Sequence, residues 1–308
     1  MKINKFCNLE ESIKYICDNE YSFFLNKDHV IGVGLGYRII KGFQSNESCI
    51  KVFVDKKIGA DSLSCENLIP KEYKGIKTDV VESGICTCVE LSKRIRPIPG
   101  GYSISPVDII SSGTMGCLVT DGFNRFMLSN NHVLANLNKL PINEPIVQPG
   151  MDDKANPSQD VVALLYKYIP LNFGGIFKKE VNYADCAIAK LLDKNYATPD
   201  IALLGKLKGI SNPKLNQTVA KCGRTTEVTL GKVTSINTTF KVYYGLRSAL
   251  FKNQIITTYM AEGGDSGSVL LDNKKYVLGL LAGASQICGV FNNIHDVLNL
   301  LSIQIITS

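Results

Sequence analysis

The stretch TYMAEGGDSGSVLL, residues 258–271, sets Gly263, Gly264, Asp265, Ser266 and Gly267 between two runs rich in Tyr, Val and Leu. Turns use Gly, Asp and Ser for low-cost bends. The same letters also describe a loop that offers a serine hydroxyl to a substrate beside bare backbone amides. A serine hydroxyl is a weak nucleophile at neutral pH and needs a base within hydrogen-bond reach, itself oriented by a third group. Which reading holds therefore depends on where the histidines and carboxylates fall.

The chain has three histidines. His29 opens a run that reads as a strand hairpin, and His295 lies in the polar start of the last helix, where a solvated or capping role is expected. His132 sits in RFMLSNNHVLAN, a strand followed by a polar turn, which puts it at a strand end facing a cleft. Asp185, in NYADCAIAKLL, directly precedes an alternating apolar run and is expected to be buried. A buried carboxylate needs a hydrogen-bonding or charged partner, which an imidazole N–H supplies. Asp152, Asp153 and Asp160 compete for that role but are expected to be solvated. The order of the candidate set is His132, Asp185, Ser266.

Around these residues runs a series of short β-forming segments separated by turn residues, among them TMGCLVT (114–120), DVVALLYKYIP (160–170), QTVAKCG (217–223), FKVYYG (240–245) and KYVLGLLAG (275–283). This spacing, with few helical patterns, predicts a mainly β protein built as a barrel or sandwich. The chain closes on NNIHDVLNLLSIQI, where Ile294, Val297, Leu298 and Leu301 share one helical face behind an Asn cap. Before this region, residues 5–25 place Phe6, Leu9, Ile13, Ile16, Tyr21 and Phe24 at helical spacing, followed by a hairpin pattern and a second short strand pair. GVGLG at 32–36 is not followed by a helix pattern, so it reads as strand and not as a nucleotide loop. RPIPGGYSISP at 96–106 reads as a linker. The expected division is a small α+β domain at 1–99 and a main domain at 100–308.

Of the 308 residues 45% are hydrophobic, which excludes a disordered chain, and the net charge of +6 is carried by scattered lysines without a basic block. Nucleic acid is not expected as a partner. No stretch approaches the roughly 18 apolar residues of a membrane helix. The charged start MKINKFCNLEESIKY does not read as a signal peptide, so the expectation is a cytoplasmic protein away from membranes. The ten cysteines follow no regular spacing. They read as small buried hydrophobes of a reducing compartment, with CTC at 86–88 a minor metal candidate; no metal and no cofactor are expected.

LSNNHVLA (128–135), ADCAIAKL (184–191), GRTTEVTLGKV (223–233) and GGDSGS (263–268) together resemble, in that order, the motifs of the bacterial trypsin-like (chymotrypsin-fold) serine proteases. The resemblance spans about residues 110–300. It implies two six-stranded antiparallel β-barrels with a C-terminal helix. It further implies Ser266 as nucleophile, His132 as general base then acid, Asp185 as the group orienting the imidazole, and the N–H groups of Gly264 and Ser266 as an oxyanion hole. Asp265 points away from the nucleophile in such proteins, and the arginine of GRTT, Arg224, is implied as its cationic partner supporting the oxyanion loop. The pocket for the substrate side chain is implied at Met260, with Ala282 and Gly283 as its wall and Glu262 near its rim, an apolar pocket for medium or large apolar residues. The family's disulfide beside the histidine has no counterpart, since Val133 follows His132. Three functions fit: an active serine endopeptidase acting on protein or peptide substrates, a protease that cuts only itself or one dedicated partner with the N-terminal domain as gate or docking module, and a catalytically silent binding protein.

Overall fold

The computed structural model describes residues 8–40, 42–85, 90–174 and 181–307. The CTC segment (86–88) and Phe6 lie outside the described residues. The chain divides into two compact units, Met1–Cys88 and Val89–Ser308.

In the first unit, α1 (Leu9–Asn19) and α2 (Ser22–Leu25) replace the single helix expected over 5–25. The break falls where Asp18 and Asn19 weaken helix propensity, and the Glu20 N–H closes α1 on the Ile16 carbonyl. Ile13, Ile16 and Phe24 are buried, whereas Leu9 and Tyr21 are exposed. The helices share a core with β1 (Val30–Ile40), β2 (Phe43–Val54) and β4 (Ile76–Glu82); β3 (Glu72–Tyr73) pairs with β4. The sheet order is β1-β2-β4-β3. GVGLG lies inside β1, and the Phe53 ring of β2 packs over Gly32 and Gly34.

The second unit begins earlier than the 99/100 boundary expected, and RPIPGGYSISP is not a linker. Its residues form β5 (Ile98–Gly100) and β6 (Ser103–Pro106), with Ile98 and Ile104 fully buried. Here glycine marks close packing: a Cβ on Gly100 would stand 2.2 Å from the Gly116 carbonyl oxygen. The chain continues through β7 (Gly113–Thr114), β8 (Leu118–Thr120), β9 (Arg125–Ser129), the one-turn α3 (Asn131–Leu134), β10 (Pro145–Val147), α4 (Pro157–Asp160) and β11 (Val161–Tyr168). Then come β12 (Val181–Asn182), β13 (Ala187–Leu191), β14 (Ala197–Ile201), β15 (Gly205–Lys206), β16 (Thr218–Gly223), β17 (Glu227–Tyr244), β18 (Arg247–Thr258), β19 (Val269–Asp272), β20 (Val277–Ala284), β21 (Cys288–Asn293), α5 (Ile294–Leu301) and β22 (Gln304–Ile305).

Two sheets dominate. One has the order β22-β8-β9-β13-β11-β10-β6-β7; without its two-residue edge pieces β22 and β7 it has six strands. The other, β12-β18-β17-β16-β19-β20-β21, closes into a ring through a β18–β21 ladder, and β12 is a two-residue parallel addition to six antiparallel strands. The fold is thus mainly β, as expected. The alternation that marks these strands in sequence turns their apolar sides inward, and one large core joins the two sheets. Val119, Phe126 and Leu128 meet Val269, Leu271 and Leu280 there, with Ile294, Val297, Leu298 and Leu301 of α5 packed at the junction. Each such side chain removed from water contributes about 1.5–3 kcal/mol, so α5 acts as a clamp across the sheets.

Candidate active site

His132 stands in α3, immediately after the buried strand β9, and Asp185 two residues before β13; the two strands pair directly. Asp185 is fully buried. Its Oδ1 accepts the His132 backbone N–H at 3.1 Å, and its Oδ2 accepts the imidazole Nδ1–H at 2.5 Å. Donation from Nδ1–H to the carboxylate leaves Nε2 as the basic nitrogen. The aspartate backbone is held as well: its N–H donates to Asn292 Oδ1 at 3.0 Å and its carbonyl accepts from Asn130 Nδ2 at 2.7 Å. A third donor, the hydroxyl of Tyr244, reaches Oδ2 at 2.7 Å.

Ser266 and His132 line the same cleft, of about 450 Å³. Among the described residues Ser266 Oγ makes no hydrogen bond to the imidazole. Such contacts are commonly long without substrate and tighten when it binds. The loop before the serine is built around glycine. Gly264 has φ +96°, and a Cβ there would stand 2.3 Å from Thr225 Oγ1. Thr114 Oγ1 donates to the Gly264 carbonyl at 2.8 Å, and Thr225 Oγ1 to that of Gly263 at 2.7 Å. With those carbonyls engaged, the N–H groups of Gly264 and Ser266 have no protein acceptor among the described residues, the condition for donors reserved for a ligand oxygen.

No protein-family model and no curated protein matches the chain. Solved structures do. A glutamic acid specific serine protease, described as using a histidine triad in substrate binding, aligns with a TM-score of 0.51 at 21% identity, covering 68% of this chain and 100% of its own. Thermobifida fusca Protease A aligns with a TM-score of 0.50 at 18% identity, over 68% of this chain and 99% of its own. The fold is that of the bacterial chymotrypsin-like serine proteases.

Within this chymotrypsin-like fold three sequence expectations need correction. The first is the Arg224–Asp265 ion pair. Arg224 instead donates from Nε to Asp153 Oδ2 at 2.9 Å, and its Nη2 pairs with Asp153 Oδ1 and, at 3.2 Å, with Asp152. The cation beside Asp265 is Lys221, at 3.1 Å, with both side chains fully buried. Asp265 also accepts the N–H groups of Glu262, Thr225 and Thr226 and the Thr226 hydroxyl. Burial pushes this carboxyl up, but Lys221 and these donors outweigh it and hold it below the usual carboxylate range. Burial in turn lowers the Lys221 ammonium, with Asp265 opposing. Arg224 is linked to the Gly264–Ser266 loop through Thr114, whose Oγ1 accepts the Arg224 backbone N–H at 3.0 Å and donates to the Gly264 carbonyl. Lys221 carried a sequence signal: in TVAKCG it shares the inward side of the alternation with Val219, and a lysine there requires a buried anion.

The second correction concerns the acidic residues expected to be solvated. Asp152 is exposed, but Asp153 is buried under Arg224, and Asp160 is buried and salt-bridged to Arg94 at 2.7 Å. The third concerns the pocket. Glu262, Ala282 and Gly283 line the cleft, but Met260 does not. Met260 is 2% exposed and packs into the ring-shaped sheet with Val219, Val233 and Leu270. The cleft walls come instead from Phe240, Val242 and Tyr244 on β17 and from Cys288 and Val290 on β21. FKVYYG shows that Phe240, Val242 and Tyr244 share one side of a strand, but not what that side faces. Of the other histidines, His29 pairs with Asp55 at 2.9 Å in the first unit, and the His295 N–H is capped by Asn293. Among the described residues no cluster of His, Cys, Asp and Glu is placed to hold a metal, and no helix is long and apolar enough to cross a membrane.

Proposed function

We propose that this chain is a serine endopeptidase. The observation that carries the reading is the convergence of three groups from distant parts of the chain: the buried Asp185 carboxylate grips the Nδ1–H of His132, and His132 shares its cleft with Ser266. In this reading a peptide enters the cleft and brings Ser266 Oγ onto His132 Nε2. The imidazole takes the hydroxyl proton as Oγ bonds to the scissile carbonyl carbon, and Asp185 stabilises the imidazolium formed. The negative charge on the carbonyl oxygen is met by the N–H groups of Gly264 and Ser266; one such donor is worth roughly 3–4 kcal/mol of barrier. His132 then protonates the leaving amine, and water repeats the sequence on the acyl-enzyme. Lys221 and Asp265 keep the loop in place without proteolytic maturation. With Phe240, Val242, Ala282 and Val290 in the walls, the side chain preceding the scissile bond is apolar, and Glu262 at the rim favours basic residues nearby.

A fluorophosphonate probe tests this reading. It should label the intact protein at Ser266, and Ser266→Ala and His132→Ala should each abolish labelling. Turnover of a diverse peptide library should fall in these variants by about 10⁴–10⁶-fold. An unlabelled wild-type protein would leave the chain a binding protein with a protease fold.

A further inference from the structure

We propose that Tyr244 is a positioning residue for the candidate triad, delivered to it by the long β17–β18 hairpin; this rests on the serine-protease reading of the site. The hairpin ends in a tight turn, with Tyr244 paired to Arg247 across Gly245 and the fully exposed Leu246. Its register shifts between Val233 and Phe240, and beyond these bends the distal arm carries Phe240, Val242 and Tyr244 to the cleft. That arm is pinned from the side of Asp185. Val181 and Asn182 form a parallel ladder with Leu250 and Phe251, ending three residues before Asp185, and Asn182 Nδ2 donates to the Leu250 carbonyl at 3.2 Å. Hairpin and the segment leading to Asp185 are therefore tied together.

The chemistry at the contact is specific. Asp185 Oδ2, itself without solvent exposure, is shared by two donors, the His132 Nδ1–H and the Tyr244 hydroxyl. The ring of Tyr244 stands 5.5 Å from the imidazole, and Phe173 meets it edge-on at 5.9 Å, with the Arg247 guanidinium 4.4 Å from the far partner Phe173. Burial, then the charge of Asp185, pushes the phenol pKa up, so the hydroxyl stays protonated and acts only as a donor. No proton leaves it in the reaction. Its work is to hold Oδ2 in the plane where Oδ1 takes the His132 backbone and Oδ2 its ring, and to spread the carboxylate charge over a second hydrogen bond. A hydrogen bond to a charged group typically matters about tenfold or more.

The experiment uses the full chain with Tyr244→Phe, Tyr244→Ala and replacement of Tyr244 by 4-aminophenylalanine, which keeps a donor at the ring tip. Tyr244→Phe should slow probe labelling and lower kcat about tenfold at unchanged KM, and it should move the low-field Nδ1–H proton resonance of His132. The amino analogue should restore both. If Tyr244→Phe keeps wild-type kcat and an unmoved resonance, the proposal fails. If Tyr244→Phe and the amino analogue lose activity equally, a donor at the ring tip does not restore the site and the proposal fails too. The resonance is read without any turnover. A shift in a protein that never labels would therefore uphold the Tyr244 link and overturn only the peptidase reading.

Discussion

A lysine with no access to water is costly unless an anion and acceptors surround it, and Lys221 has both: Asp265, the Thr226 hydroxyl and the Glu227 carbonyl. This residue replaces the arginine expected from GRTT. The alternating strand β16 turns Lys221 inward, whereas Arg224 sits past the strand end and is drawn to the acidic pair Asp152–Asp153. Lys221→Met should cost about 3–5 kcal/mol in urea unfolding, because Asp265 is left buried and charged. It should also slow labelling of Ser266 more than the loss of stability at the labelling temperature explains, since the loop bearing Gly264 and Ser266 hangs on Asp265. Normal labelling in a folded Lys221→Met protein would remove Lys221 from the site. The inward position of this lysine was readable in TVAKCG; its partner was not, because Asp265 is brought to it only by the pairing of β16 with β19.

At the scale of elements, the short turn Met151–Asp153 is tied to the β16–β17 corner by Arg224 and to β6 by Ser103, whose hydroxyl donates to Asp153. Burial raises the Asp153 carboxyl, but Arg224 and Ser103 outweigh it and leave it below the ordinary aspartate value. A carboxyl lowered in the folded state adds stability above its unfolded pKa, and that stability is lost as pH falls through the folded value. Arg224→Met removes the counterion, so the folded carboxyl rises. The variant should be about 1–3 kcal/mol less stable than wild type at pH 7. The difference should shrink as pH falls below about 4 and Asp153 becomes protonated in both proteins. Urea titrations at several pH values measure this; a difference that grows toward acid would contradict the assignment. The backbone N–H of Arg224 remains on Thr114 in the variant, so labelling of Ser266 should fall far less than in Lys221→Met.

For the whole molecule, the core cluster of Ile13, Ile50 and Val52 and the cluster joining the two large sheets draw on different units. A protein consisting of residues 90–308 should therefore fold and take the fluorophosphonate label at Ser266; failure to label, with a cooperative melt retained, would make the first unit part of the active form. The sequence alone determined a mainly β chain, strands at the spacing observed and the apolar face of α5, because alternation and turn chemistry are local; it also named His132, Asp185 and Ser266 as candidates, of which the fold sets His132 against Asp185 and places His132 and Ser266 on one cleft. It misjudged RPIPGGYSISP, where Pro and Gly serve tight packing, and the family resemblance implied a pocket at Met260, which just past the end of β18 turns into the core. Only the tertiary structure decided that Lys221 faces Asp265, that Arg224 faces Asp153 and that Tyr244 reaches Asp185. Charge partners and cleft walls are chosen by which strands become neighbours, and that depends on the closure of the sheets, which no single segment encodes.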